Sequence, residues 1–264
     1  MAKIENFRDE IKNFTNKELC VLSEYYHVVL LIDKSSSMLF PYLDDKDNVY
    51  YPDSADYKNA AYKTQVKMIE AHKKALDALR GSALCNKNSL LIHQYTFNSA
   101  KKRLDEAVEL YEDGYDKVTK LTFDNYYPYN GTTLYNSIHD AINLVYNGYL
   151  VKSMEAHSRI DKLVIGVITD GEDTVLTDEE FRRRKIREIR DLMKKLRNKD
   201  NKASQYQYLA GSVLIGLTSS EFTENKLKEV KKELDFENAI SIDKADEKSI
   251  RNAFKLWSVE ASTS

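Results

Sequence analysis

The length, composition and charge of this chain favour a soluble globular protein. Of its 264 residues, 42% are hydrophobic and 31% are charged, a balance typical of a chain that buries one large core. Its 40 basic and 42 acidic residues nearly cancel, so charge alone favours neither nucleic acid nor a membrane surface as a partner. We expect a single domain over residues 1–264, with a core over about 25–258.

The amino-terminal residues and the cysteines predict a cytoplasmic setting. The stretch from Met1 to Asn16 mixes charged and apolar residues, unlike the apolar centre of a secretory signal. No later stretch approaches the roughly 18 apolar residues that a transmembrane helix needs. The two cysteines, Cys20 and Cys85, have neither zinc-site spacing nor enough partners for a disulfide framework, so we expect two inert thiols.

Short apolar runs in chain order predict the strands of one sheet. The strongest runs are rich in Val and Ile, which is typical of parallel strands buried on both faces. They are Tyr26–Ile32, Leu163–Thr169 and Tyr206–Leu217, and two lesser runs, Ser89–Phe97 and Ala239–Ile242, can extend the same sheet. The residues from Leu104 to Leu110 are expected to pair back on the preceding strand as an edge hairpin.

Helical patterns lie between these runs. A helix over Ala61–Arg80 has Gly81 where a C-cap is expected. A second helix begins at Thr177-x-x-Glu180, which has the form of a capping box. A last helix aligns Ile250, Phe254 and Trp257 on one face. Because strands alternate with helices, we predict an α/β fold with a doubly wound, mostly parallel sheet and helices on both faces.

A stretch rich in aspartate and tyrosine, from Met38 to Tyr62, interrupts the first strand-to-helix step. An EF-hand loop would place a glycine after its first oxygen ligands, but Asp45 and Asp47 are followed by Val49. Calcium binding is therefore the weaker interpretation of this stretch. We expect a solvated surface insertion.

Three polar motifs carry the candidate chemistry. Asp33-x-Ser35-x-Ser37 and Thr169-Asp170-Gly171 lie at the carboxyl ends of predicted strands, and Asn130-Gly131-Thr132-Thr133 opens a helix. In a doubly wound sheet, ligands bind in the crevice beyond those strand ends. Two carboxylates with several hydroxyls, and no His or Cys, make a hard oxygen site that suits Mg²⁺ or Mn²⁺. These residues are too few for full coordination, which leaves room for an outside carboxylate.

In this order along the chain, the motifs resemble the metal-ion-dependent adhesion site of von Willebrand factor A (VWA) domains. The resemblance extends from about Tyr25 to the carboxyl terminus. It implies that Ser35 and Ser37 are direct metal ligands, and that Thr132 binds directly or through water. It also implies that Asp33 and Asp170 retain the ion largely through bound waters.

The chain departs from the family pattern in two places, and one ligand assignment stays open. The insertion after Met38 is long, and Asn130 stands where a second glycine is common. Neither departure removes a ligand. Thr133 would replace Thr132 as the ligand if the turn were shifted by one residue.

The resemblance, together with the lack of an evident catalytic base, implies a non-enzymatic binding module. Such a module would recognise a Glu or Asp carboxylate on a protein partner within a multiprotein complex, without contacting nucleic acid or a membrane. The alternative is a metal-dependent phosphohydrolase of the haloacid-dehalogenase type, which also places an Asp after its first strand. That chemistry expects a second acid two residues later, where this chain has Ser35.

Side chains around the motifs suggest a contact surface. Four tyrosines flank the threonine turn and could contribute to it: Tyr126, Tyr127, Tyr129 and Tyr135. Glu172 and Asp173 follow the second carboxylate closely and are expected to point away from the metal along the rim. The basic run from Arg182 to Lys185 is expected to be a solvated helix face.

Overall fold

The part of the chain that the structure, a computed structural model, describes contains seven strands and four α-helices, together with two 3-10 turns and a π-helical segment, Tyr146–Leu150, that follows one of the α-helices. That part comprises residues 24–39, 55–80, 90–103, 108–109, 115–152, 160–169, 173, 178–197, 208–216 and 221–241. The strands are β1 (Glu24–Asp33), β2 (Leu90–Phe97), β3 (Lys101–Arg103), β4 (Val108–Glu109), β5 (Ile160–Thr169), β6 (Leu209–Gly216) and β7 (Asn238–Ser241). The helices are α1 (Ala55–Arg80), α2 (Leu134–Val145), α3 (Glu179–Leu196) and α4 (Glu221–Leu234).

The strands form one sheet in the order β3-β2-β1-β5-β6-β7, and β4 also pairs with β2. β1 runs parallel to β2 and to β5, and β6 and β7 continue the parallel pairing beyond β5. Strand order therefore reverses beside β1, because β2 lies on one side of it while β5, β6 and β7 lie on the other. This reversal is the switch point at which α/β sheets bind ligands.

The two faces of the sheet bury different sets of side chains. Val28 and Leu30 of β1 pack with Met68 of α1 on one face. Val29 and Leu31 point to the other face, where they pack with residues of α2, α3 and α4. Because successive strand residues point to opposite faces and helices cover both, most residues in the middle of the central strands are apolar. The predicted α/β fold, with a mostly parallel sheet and helices on both faces, is confirmed.

The edge hairpin and the start of α3 differ in detail from the sequence-based expectation. β3 and β4 are both antiparallel to β2, so part of the stretch from Leu104 to Leu110 does pair back on the preceding strand. The N-cap of α3 is Asp178, whose Oδ1 accepts hydrogen bonds from Glu180 N at 2.8 Å and Phe181 N at 3.1 Å. The N-cap of this helix is therefore one residue later than the predicted Thr177.

The expected limits of the insertion, Met38 and Tyr62, both fall within regular elements of the structure. Met38 is buried in the core, and α1 already begins at Ala55. Residues 40–54 lie outside the described part of the chain, as do Gly81 and the last predicted helix, so those predictions stand as they were made. Among the described helices, none is long and apolar enough to cross a membrane.

A buried histidine ties α1 to the sheet and to the segment that leads to the threonine turn. His72 Nε2 donates to Gln94 Oε1 at 2.6 Å, and His72 Nδ1 accepts from Leu121 N at 3.3 Å. Burial, only partly offset by the hydrogen bond with Gln94, lowers the pKa of His72 from 6.5 to about 4. A second ring proton would also turn the acceptor at Nδ1 into a donor facing the Leu121 N–H.

We expect acid to destabilise the protein through His72. The pKa of His72 is lower in the folded chain, so its contribution is complete above pH 6.5 and is lost progressively as the pH falls toward 4. The free energy of unfolding should fall by about 1.4 kcal/mol per pH unit in this window, up to about 3 kcal/mol in total. Urea unfolding of the parent and of His72→Leu at several pH values measures this, because the variant lacks the contribution of His72 to the slope. His139→Ala, at a partly exposed position, should keep it.

Candidate functional site

The candidate site centres on the carboxylate of Asp33, the last residue of β1. Asp33 is fully buried. Its Oδ1 accepts hydrogen bonds from Ser35 N at 2.9 Å and Ser35 Oγ at 2.5 Å, and its Oδ2 accepts one from Thr169 Oγ1 at 2.7 Å. Thr169 ends β5, the neighbouring parallel strand. The carboxylate therefore joins two strand ends at the switch point, and its hydroxyl partners come from two of the predicted motifs.

The threonine turn is bound to the loop after β1 through Asn130. Ser36 N and Ser36 Oγ both donate to the carbonyl oxygen of Asn130, at 2.8 and 2.7 Å. Asn130 has a φ of 64°, in the left-handed region that asparagine tolerates better than most residues other than glycine. Asparagine can therefore adopt the conformation that this turn requires, although glycine is the residue most often found in it.

The two threonines of the turn are both buried, but the hydrogen bonds of Thr133 lead away from Asp33. Thr133 Oγ1 donates to the carbonyl oxygen of Asn98 at 2.6 Å and lies 3.0 Å from Ser137 Oγ. Asn98 follows β2. The hydroxyl of Thr133 thus anchors the turn to the end of β2, while Thr132 is fully buried in the preceding position.

Two of the five predicted metal ligands lie partly or wholly outside the described residues. The backbone of Ser37 belongs to a 3-10 turn, Ser36–Leu39, but its side chain is not described. Asp170 is also outside the described part and follows directly on Thr169 in the chain. Among the described residues, no cluster of three or more His, Cys, Asp or Glu side chains has the arrangement of a metal site.

A segment between β4 and α2 is hydrogen-bonded to the end of β1 and to the loop after it. Tyr126 Oη donates to the carbonyl oxygen of Asp33 at 2.8 Å, and Lys34 Nζ donates to the carbonyl oxygen of Asn125 at 2.9 Å. Tyr129 N in turn donates to the carbonyl oxygen of Lys34 at 2.9 Å. The motif loop and this segment therefore hold each other in place.

The four tyrosines near the turn divide into two groups. Tyr126 and Tyr135 are buried, whereas Tyr127 is 64% exposed and Tyr129 is 38% exposed. The segment also exposes Phe123, which the sequence reasoning missed even though it lies in the same aromatic-rich stretch. The exposed aromatic residues thus stand on a segment that is itself fixed to Asp33 and Lys34.

Tyr129 lies in a locally basic environment at this rim. Lys34 Nζ lies 5.7 Å from the centroid of the Tyr129 ring. The hydrogen bond of the Tyr129 hydroxyl with Asn98, followed by the charge of Lys102, lowers the pKa of the phenol from its usual value of 10.0. Both lysines would favour an anionic group bound beside Tyr129.

Tyr135 connects the start of α2 to the helices behind it. Burial raises the pKa of Tyr135 well above its usual value, so the hydroxyl stays protonated. It donates to Glu233 Oε2 at 2.5 Å and accepts from Arg182 Nη2 at 3.1 Å. Arg182 also binds Glu233 at 2.8 Å. This contact corrects the expectation of a fully solvated basic run, because Arg182 links three helices.

Comparisons with known proteins find similar solved structures. No family model and no curated protein match the sequence. A von Willebrand factor type A protein from Catenulispora acidiphila is 14% identical, with a TM-score of 0.49, over 88% of this chain and 41% of that one. The PilB minor pilin from Streptococcus sanguinis is 12% identical, with a TM-score of 0.48, over 89% of this chain and 60% of that one. The SpRpn10 VWA domain is 14% identical, with a TM-score of 0.43, over 84% of this chain and 88% of that one. This chain thus spans only part of the first two proteins.

The hydroxyl of Tyr126 should matter for stability, unlike that of its neighbour Tyr127. Tyr126→Phe removes a buried donor to the carbonyl oxygen of Asp33 and should lower the free energy of unfolding by about 1–2 kcal/mol. Tyr127→Phe changes an exposed hydroxyl and should stay within about 0.5 kcal/mol of the parent. Chemical denaturation of both variants at pH 7 provides the comparison. Equal effects would show that the Tyr126 contact does not brace the loop.

Proposed function

We propose that this chain is a VWA-type binding module that holds one divalent cation and uses it to bind an acidic group of a protein partner. The observation that carries the proposal is the buried Asp33 carboxylate, which is hydrogen-bonded to Ser35 and Thr169 at the switch point of the sheet. The chemistry of Asp33 and its place in the fold agree with the resemblance of the motifs to a metal-ion-dependent adhesion site.

The donor set fits a hard cation such as Mg²⁺ or Mn²⁺. The hydroxyl of Ser35 donates its proton to Asp33 and keeps lone pairs that can face a cation. The Ser35 and Thr169 groups that donate to Asp33 are neutral, so they orient the carboxylate and bring no positive charge of their own. Buried carboxylates commonly take part in binding a metal ion. Oxygen ligands of this kind select Mg²⁺ or Mn²⁺ over softer metals.

Each predicted ligand has a distinct role in the proposed site. Ser35, Ser37 and Thr132 would bind the ion as neutral ligands, while Asp33 and Asp170 would retain it by charge. The commitment of the Thr133 hydroxyl to Asn98 favours Thr132 over Thr133. The ion would supply positive charge, and neutral ligands would leave more of that charge available than carboxylates would. A Glu or Asp of the partner would bind to the ion.

The exposed aromatic residues supply the surface around the proposed contact. Phe123, Tyr127 and Tyr129 are exposed on a segment that hydrogen bonds hold against the motif loop. Aromatic side chains of this kind are enriched at protein interfaces because they bury a large area at a low entropic cost. We therefore propose that the partner places apolar groups here while its acid reaches the metal.

Binding rather than catalysis is the activity that the site favours. Ser35 and Thr169 bring hydroxyls to the oxygens of Asp33, and position 35 is the serine noted above. A phosphohydrolase of the haloacid-dehalogenase type would need an acid there. The cytoplasmic setting remains part of the proposal. So does the absence of nucleic-acid or membrane partners, which the balanced charge supports.

Metal binding should depend on Asp170. We expect isothermal titration calorimetry to show one Mg²⁺ or Mn²⁺ per chain, and Asp170→Ala should weaken binding by about tenfold or more, as expected when one of two charged residues around a cation is lost. Asp124→Ala is the matched control, since Asp124 is exposed on the segment before the turn and should leave the affinity unchanged. Equally tight binding by Asp170→Ala would show that the assigned site is wrong.

Partner binding should need both the metal and a partner carboxylate. Once a partner is known, changing its contacting Glu or Asp to the amide should weaken binding in Mg²⁺ by about tenfold to a hundredfold, and EDTA should weaken the unmodified complex similarly. Tyr127→Ala should also weaken the complex without changing Mg²⁺ affinity. Full binding in EDTA would reduce the ion to a structural role. Turnover of p-nitrophenyl phosphate in Mg²⁺ would favour the phosphohydrolase instead.

A further inference from the structure

The first turn of α2 lacks a cap from its own N-cap residue. Thr133 occupies that position, but its side chain makes no capping hydrogen bond. An N-cap hydroxyl normally accepts from the second or third N–H of the helix, and Tyr135 is the second residue of α2. Thr133 Oγ1 instead donates to the carbonyl oxygen of Asn98. The first-turn N–H of Tyr135 must therefore find its acceptor elsewhere.

Asp173 provides that acceptor from another part of the chain. Its Oδ2 accepts a hydrogen bond from Tyr135 N at 3.0 Å, across 38 residues of sequence. A carboxylate at this point also interacts favourably with the positive end of the helix dipole. Asp173 follows β5 and comes three residues after Asp170. The carboxylate thus turns toward α2, a contact that the sequence reasoning did not foresee.

We propose that Asp173 is a positioning residue, which caps α2 from the loop after β5 and so fixes the Thr132 turn beside the metal motifs. Three hydrogen-bonded links reach this turn: Asn130 binds the loop after β1, Thr133 binds the end of β2, and Tyr135 binds the segment after β5. Asp173 supplies the link to the segment that carries Asp170. The inference rests on the proposed function in so far as the turn holds a metal ligand.

A substitution of the Tyr135 side chain provides a matched control for the loss of the hydrogen bond to its backbone N–H. Its hydroxyl binds Glu233 and Arg182, whereas its backbone N–H binds Asp173. Tyr135→Phe therefore removes the hydrogen bonds to Glu233 and Arg182 but keeps the hydrogen bond to Asp173. A general loosening of the protein and a specific loss of the cap can be separated in this way.

The test measures amide hydrogen exchange at Tyr135 in EDTA and Mg²⁺ affinity by calorimetry, in the parent, Asp173→Leu, Asp173→Asn and Tyr135→Phe. Asp173→Leu should speed exchange at Tyr135 by about fivefold or more and weaken Mg²⁺ binding by a similar factor, which is the effect of a lost helix cap. Asp173→Asn keeps an oxygen acceptor and should restore most of both. Tyr135→Phe should lower the Tm. It should leave the exchange rate of the backbone amide at position 135 and the Mg²⁺ affinity near the parent values.

The two readouts distinguish failure of this inference from failure of the proposed function. Unchanged exchange at Tyr135 in Asp173→Leu would overturn the cap, whatever the metal does. Faster exchange with unchanged Mg²⁺ affinity would overturn the positioning role. If the parent binds no Mg²⁺, the proposed function and the positioning role both fail, and the exchange data, collected in EDTA, decide the cap alone. A melting curve in EDTA for each variant confirms that it is folded.

Discussion

The buried carboxylate of Asp33 is the group on which the arrangement of this site depends. It lies where β1 ends, between β2 and β5 in the sheet, and it accepts hydrogen bonds from Ser35 on its own loop and from Thr169 on β5. A carboxylate buried at this depth is stable only when its oxygens are satisfied. The parallel pairing of β1 with β5 brings Thr169 within reach, so the sheet and the site are built by the same contacts.

Around Asp33, the loops reinforce one another through backbone and side-chain hydrogen bonds rather than through regular structure. Tyr126 reaches the carbonyl oxygen of Asp33, Lys34 reaches that of Asn125, and Ser36 reaches that of Asn130. Each of these bonds joins residues that are 91 to 94 positions apart in sequence. Together they restrict the conformational freedom that such loops would otherwise have. Exposed aromatic residues on a fixed segment lose little further entropy when a partner binds, which favours a recognition surface.

Tyr135 extends this network away from the metal motifs. Its backbone meets Asp173 at the front of α2, and its hydroxyl meets Arg182 and Glu233 behind it. The salt bridge between Arg182 and Glu233 is partly exposed, so solvent screens it and its main effect is geometric. Tyr135 thus connects the candidate site to α3 and α4 through its own hydrogen bonds.

The sequence by itself determined the alternation of strands and helices and the chemical identity of the candidate ligands. Buried parallel strands read as continuous apolar runs, and oxygen-bearing motifs at their ends are local features of the chain. It could not determine which distant groups meet, because hydrogen bonds such as Tyr135 to Asp173 arise only when the strands are ordered and the loops fold over their ends. The histidines show the same limit. His27 and His93 are 66 residues apart in sequence, yet parallel pairing of β1 with β2 brings their ring nitrogens within 3.1 Å of each other, and pairing with β5 adds Asp161. The local sequence pattern indicates whether each segment favours a helix or a strand, whereas tertiary packing decides which group each polar side chain contacts.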